Sequence, residues 1–477
     1  MVFSSLEFLT VFLPLVALFY FIFPKKLRNG LLLVFSLVFY AWGEPVYVLI
    51  MLASITANYF FGLGVDAWRE RPKRQKTVLV LSVIFNLGLL GFFKYTDFIL
   101  KNINGVFRTS LPMANIALPI GISFFTFQAM SYVIDVYRRD ASVQKNPLNF
   151  GLYISLFPQL IAGPIVRYQT VADQIVSREV NFDMAAAGVR RFITGLGKKV
   201  LLANNAGLIW EQISALDMNE TAAATVWFGF AGFALQVYFD FSGYSDMAIG
   251  LGQIFGFRFL ENFDYPFISA DITEFWRRWH ISLGTWFREY VYIPLGGNRK
   301  GKARQIFNIA VVWFLTGLWH GANWNYVMWG LYFGLWLILE KFVLRRVLDR
   351  LPKALRHVYA MSVLWFSWAV FLFESPSAFF DGFRAMFFAH GFADGTTLYY
   401  FTSNIVLVLI AFFASLPVGK RLAGKLEAKL TGSRETKAAS RQALWTALEL
   451  VWYLAVLTLS LAFLVDSTYN PFIYFRF

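Results

Sequence analysis

The chain has 477 residues, 58% of them hydrophobic and 15% charged, with 43 Lys and Arg against 29 Asp and Glu for a formal charge of +14. Apolar runs recur from end to end, and about 20 residues at 1.5 Å rise cross the hydrocarbon layer, so a soluble domain with one anchor is excluded. The lack of cysteine excludes structural disulfides, Cys-ligated metals and a cysteine thioester intermediate. In a polytopic membrane protein the positive charge reads as basic cytoplasmic loops, not as a nucleic-acid surface.

In chain order, apolar spans fall at 3–23, 30–43, 46–63, 77–99, 118–137, 190–213, 222–256, 305–320, 323–344, 355–374, 400–418 and 444–466. The first, Phe8 to Phe23, runs into a basic loop without a small-residue cleavage site, so no cleavable signal peptide is expected. A shorter run at 150–163 holds Pro158, Gly163 and Pro164 and reads as broken or re-entrant, tolerable where protein buries it. Basic clusters at 25–28, 69–76, 138–139, 190–191, 299–304, 345–356 and 420–441 fix one alternation, with these on the cytoplasmic side and both termini outside. The stretch 420–441 is either an amphipathic surface helix or a topogenic charge cluster. These features predict a single all-α transmembrane domain over 1–477, with about 11–12 crossings and an extracytoplasmic aromatic tail at 466–477.

The block 258–304 is too charged to span and too aromatic for an ordinary loop, and Pro266, Pro294 and Gly296-Gly297 break it into pieces. An interfacial or re-entrant helix pair suits it. Here lies His280, one of only four histidines, with Trp276, Arg277, Gly284 and Phe287 expected on its helix face. It is either a structural histidine or one that works on substrate. His320 closes the short run 305–320 beside Trp319, with Gly317, Gly321, Asn323 and Asn325 around it. That run should end inside the membrane at the floor of a cavity, and an intramembrane histidine is a candidate site residue unless it is a satisfied core group. The histidine spacing does not suit zinc, and no metal is expected.

A second constellation is Tyr238, Asp240, Ser242, Tyr244, Ser245 and Asp246 on an otherwise apolar stretch. At membrane depth such groups line water or bond between helices. The third is the tail, Asn470 to Phe477, too aromatic for a free solvated end. It forms part of an interfacial aromatic belt or dips back into the protein, carrying one nucleophile, the Tyr474 phenol.

Gln236–Gly250, Ile272–Gly301 and Gly317–Asn323, with Met1–Ser5, Leu118–Phe124 and Leu160–Pro164, resemble the membrane-bound O-acyltransferase family over nearly the whole chain. The nearest type is the bacterial branch that acetylates alginate, peptidoglycan and other envelope polysaccharides. The resemblance implies a funnel-shaped multi-helix fold with its catalytic core at 118–345, the usual catalytic histidine at His320, the second motif histidine at His280, and the tyrosine of an aromatic C-terminal motif at Tyr474. One departure, Phe371-Leu372-Phe373-Glu374 in place of an aromatic followed by Arg, leaves the acceptor polymer open.

The reaction so implied is acyl transfer from cytoplasmic acetyl-CoA, with no bound cofactor, to a hydroxyl in the bacterial inner membrane. His320 would be the base, and His280 would orient the donor or stabilise the oxyanion. Trp276, Trp319, Asn323 and the Tyr238–Asp246 polar set would line the channel. Arg277, Arg278, Arg299 and Lys300 would attract CoA phosphates. The acetyl group would pass through Tyr474 to an extracytoplasmic SGNH-type partner that loads the polysaccharide. D-alanyl transfer from a carrier protein and a non-enzymatic transporter are the alternatives; the latter predicts inverted repeats, which the sequence lacks.

Overall fold

The computed structural model describes residues 1–218, 220–388, 391–431, 438–466 and 470–471, and all regular structure in them is helical. The N-terminal part comprises α1 (Leu13–Ile22), α2 (Arg28–Gly43), α3 (Val48–Ala67), α4 (Pro72–Phe107), α5 (Ile122–Arg138), α6 (Pro147–Ser155), α7 (Phe157–Leu160) and α8 (Tyr168–Val176). The middle holds α9 (Phe182–Gly197), α10 (Asn204–Ser214), α11 (Ala223–Ile254), α12 (Ile272–Arg278), α13 (Ile281–Phe287), α14 (Lys302–His320) and α15 (Trp324–Leu339). Beyond it come α16 (Arg345–Leu348), α17 (Lys353–Leu372), α18 (Pro376–Phe388), α19 (Gly395–Ala414), α20 (Val418–Thr431) and α21 (Ala438–Asp466).

Among the described residues six helical stretches are long and apolar enough to cross a membrane, namely α3, α4, α15 with its continuation to Leu348, α17, α19 and Arg441–Asp466 of α21. The protein is a multi-pass membrane protein. Other expected spans are helical too but shorter or more polar. The 150–163 run is split at Leu156, where α6 ends and α7 begins with Pro158 in its first turn, and every residue of α7 is buried. Protein therefore satisfies backbone that lipid could not.

The span expected at 190–213 is not one straight helix: a π-turn, Lys198–Ala203, joins α9 to α10. The wider turn brings Lys199 to the Asp240 carboxylate of α11 at 2.7 Å, with both side chains almost fully buried. Close contact of α9 with α11 needs residues without side chains. A Cβ on Gly195 would stand 2.5 Å from the Gly243 carbonyl oxygen, and one on Gly243 2.8 Å from that of Gly195. Small residues at a helix seam are the usual means of tight packing where lipid removes the hydrophobic drive.

Two aromatic-rich cores result. One gathers α1–α8 against the second half of α11; the other gathers the first half of α11 with α12, α15 and α17. Trp319 belongs to the first, Trp279, Trp313 and Trp329 to the second, and the two histidines stand at the seam.

Candidate active site

His280 is not within a helix, contrary to the expectation that Trp276, Arg277, Gly284 and Phe287 share its face. Helix α12 stops at Arg278, Trp279 is extended, and His280 takes a left-handed conformation (φ 46°) as the residue before α13. Left-handed backbone at a non-glycine residue is uncommon and persists where surroundings over-determine it. Here Asn262 does so. Its Oδ1 accepts from Ser282 N at 3.1 Å and Ser282 Oγ at 2.9 Å, so that atom is an acceptor, and the His280 Nδ1 facing it at 3.3 Å carries the proton. The lone pair of the neutral ring is thereby placed on Nε2.

Helix α12 is anchored independently. Asp271 caps it, accepting from Glu274 N at 2.7 Å, and Glu340, in the π-turn after α15, accepts from Ile272 N at 2.6 Å and Thr273 N at 2.9 Å. Three of the four orphan amides of a helix start are thus satisfied by carboxylates, which the helix dipole also favours. Trp276 is then held against Trp313 and Phe333, with ring centroids 4.6 and 4.9 Å away.

His320 ends α14. Gly321 is extended and Asn323 starts α15 by capping it, its Oδ1 accepting from Trp324 N at 2.7 Å. The helix therefore stops where the sequence expected it to. The His320 ring is packed edge-on by Trp319 (5.1 Å between centroids) and Trp329 (4.8 Å). The Trp319 indole also meets the His280 ring at 5.6 Å, so one side chain touches both imidazoles.

Two cavities reach this pair. The larger, of about 780 Å³, is lined by His280, Trp276, Arg277, Arg288, Tyr292, Lys341 and Arg345, with Ile309, Val312, Trp313 and Thr316 of α14 along one wall. Its size suits a drug-sized or cofactor-sized ligand. The smaller, of about 60 Å³, lies at the other end of α14, lined by Trp319, His320, Lys94, Ile161 and the segment Leu118–Phe124. That segment is tied to α2, since Tyr40 Oη donates to Ile120 O at 3.0 Å. Helix α14 thus walls the first cavity along its length and the second at its tip. The larger cavity has a basic rim. The buried Trp276 Nε1 has no partner among the described residues and remains a donor for a ligand.

Other expected site residues lie elsewhere. Arg278 is consumed by Asp264 (2.8 Å) and Glu274 (3.0 Å), and Arg299 and Lys300 lie in the turn before α14, outside the lining of the larger cavity. Asn323 serves as a helix cap. Tyr238 packs against Phe267 and Trp279; Asp240 pairs with Lys199; Tyr244 stacks on Phe3 at 4.5 Å; Asp246 is held by Lys198 (2.6 Å) and Arg191 (2.8 Å); Ser242 and Ser245 are buried within α11. None of the six is in the lining of either cavity. Conversely, Arg288, Lys341 and Arg345 of the basic rim, Asn262 and Lys94 were not singled out. Lys94 carried a signal, an ammonium inside the apolar run 77–99.

Tyr474 lies outside the described residues. The start of its segment does not: Asn470 Nδ2 donates to Ser4 O at 2.8 Å, Asn204 Nδ2 donates to Asn470 Oδ1 at 3.2 Å, and Lys199 Nζ donates to Pro471 O. Asn470 and Pro471 therefore lie against the first residues and the buried Lys199–Asp240 pair.

The model of a family described as membrane-bound O-acyltransferases matches residues 121–379. A probable alginate O-acetylase AlgI of Azotobacter vinelandii is 43% identical over 403 residues, 83% of this chain and 79% of that protein. One from Pseudomonas putida strain KT2440 is 38% identical over 499 residues, covering 100% of each. A peptidoglycan O-acetyltransferase of Helicobacter pylori is 34% identical over 411 residues, 78% of this chain and 77% of the other.

Proposed function

The chain belongs to the membrane-bound O-acyltransferase family, and from that premise we propose that it moves an acetyl group from cytoplasmic acetyl-CoA towards an extracytoplasmic envelope polysaccharide of the alginate or peptidoglycan kind. The observation that carries this is the pair of cavities on either side of Trp319, the larger lined by His280 and the smaller by His320, with the Trp319 indole packed against both rings. In a bacterial inner membrane, with basic loops inside and both termini outside, the large cavity faces the donor and the small one the acceptor. Arg277, Arg288, Lys341 and Arg345 attract the CoA phosphates, while the apolar wall of α14 takes the pantetheine arm.

His320 removes the proton of an incoming hydroxyl. The hydroxyl oxygen attacks the thioester carbonyl, the C–S bond breaks, and the CoA thiolate leaves and takes up a proton. Such base help is worth about 10²–10⁴-fold. His280 stands across Trp319, positioned by Asn262 so that its Nε2 lone pair orients the donor as a hydrogen-bond acceptor; only as an imidazolium would Nε2 donate to the developing oxyanion. The first hydroxyl is that of Tyr474, on the segment whose first two residues lie against Ser4, Asn204 and Lys199. An extracytoplasmic SGNH-type partner then takes the acetyl group and loads the polymer. A D-alanyl group on a carrier protein is the competing donor chemistry.

The test is incubation of purified protein with labelled acetyl-CoA, with and without the partner. An acetyl adduct on the C-terminal peptide, absent from Tyr474→Phe, is the expected result. Normal polymer acetylation by Tyr474→Phe would sink the relay, and labelling only from a D-alanyl carrier would replace the donor.

A further inference from the structure

We propose that Lys94 and Tyr95 are positioning residues that clamp the His320 end of α14, an inference that rests on the acyl-transfer reading above. The last carbonyls of a helix have no intrahelical partners, and in lipid the protein has to supply them. Helix α14 ends in the protein interior, at the buried Trp319 and His320, and the extended Gly321 directly after it does not continue the ladder. Two consecutive side chains of α4 fill the gap: Lys94 Nζ donates to Trp319 O at 2.5 Å, and Tyr95 Oη donates to Leu318 O at 2.7 Å. Both carbonyls belong to the two residues before His320.

Lys94 is buried at 8% exposure and makes no ion pair with a described carboxylate. A buried ammonium without a counter-charge is costly, and mere packing would be served by a neutral side chain. A positive charge on Nζ meets the negative end of the α14 dipole here, where a cation is favoured. A second proton of the ammonium is directed at Ser123 Oγ, 3.4 Å away on α5, so the clamp joins three helices. Lys94 and Ser123 also line the small cavity with His320. The imidazole is therefore placed by a fixed helix end. Catalysis is sensitive to such placement: about 1 Å of misplacement costs on the order of 10²-fold.

The experiment measures kcat and the acetyl-CoA KM for Lys94→Met, Lys94→Arg and Tyr95→Phe in the full-length protein, together with hydrogen exchange over Thr316–Ala322. Lys94→Met is expected to lower kcat by about 10–100-fold with KM changed less than about twofold, and Lys94→Arg to recover part of the loss. Tyr95→Phe should cost several-fold, and both non-donating variants should exchange faster at the α14 end. Wild-type kcat in Lys94→Met, a loss carried by KM alone, or unchanged exchange overturns the clamp. If Lys94→Met does not fold, Tyr95→Phe, which loses one hydroxyl, decides on the same readouts. If the wild-type protein transfers no acetyl group, the acyl-transfer reading falls, while the exchange data still decide the clamp.

Discussion

Tyr238–Asp246 of α11 and the segment from α12 to α15 both carry dense polar chemistry among apolar helices, and they put it to opposite uses. In α11 both carboxylates are spent within the protein, Asp240 on Lys199 and Asp246 on Lys198 and Arg191. From α12 to α15 some groups meet local needs and others reach ligand space, Arg288 doing both because it also pairs with Glu289 at 2.6 Å. Asp271 and Glu340 cap α12 and Arg278 closes two ion pairs, while Trp276, Arg277, His280 and Arg288 face a cavity of about 780 Å³. Polar density inside a membrane is therefore first a sign of helix-to-helix fastening. A site is recognised by polar groups that converge on empty space.

That contrast can be broken by substitution. His320→Ala should lower acetyl transfer by about 10²–10⁴-fold, the usual worth of a general base, while the protein still inserts and unfolds at its normal temperature. Retained turnover would remove His320 from the mechanism. His280→Ala should cost about 10²-fold, the scale of a thioester misplaced by about 1 Å, and a change confined to thermal stability would make His280 structural. Arg277→Gln with Arg345→Gln should raise the acetyl-CoA KM several-fold and flatten its dependence on salt, because screening acts on phosphate attraction at the rim. An unchanged salt dependence would place the donor elsewhere. At the small end of the scale for transfer, Asp246→Asn should leave kcat per folded molecule unchanged but strand Lys198 and leave Arg191 with Glu261 alone. Breaking a buried pair from one side costs about 3–5 kcal/mol, less for this partly exposed network, and thermal unfolding would show it. A selective fall in kcat would return Asp246 to the channel wall.

The helical membrane class, the broken 150–163 segment and the end of α14 at His320 were legible because Pro, Gly and apolar run length act locally. The break at His280 was not. Arg278, Trp279 and His280 look helical in sequence, and the left-handed residue is imposed by Asn262, a partner 18 positions away. Lys94 was lost for another reason: one ammonium barely lowers the mean hydropathy of the run 77–99, although that single residue is its informative one. The polar α11 set was read as channel wall or helix fastening, and Arg191, Lys198 and Lys199 could not be chosen as partners before the π-turn of Lys198–Ala203 was known. Arg345 read as a topogenic charge, because position along the chain does not reveal that it curls over the rim beside Arg277.

The central claim is that donor and acceptor meet the histidine pair from opposite sides, so that acetyl crosses while CoA stays. Uniformly oriented proteoliposomes test it directly, with labelled acetyl-CoA on the side of the basic loops and the partner with its polysaccharide on the other. The account predicts labelled polymer on the far side, CoA retained on the near side, and no labelled polymer with His320→Ala. Acetylation only when acetyl-CoA and polymer share a compartment would contradict it.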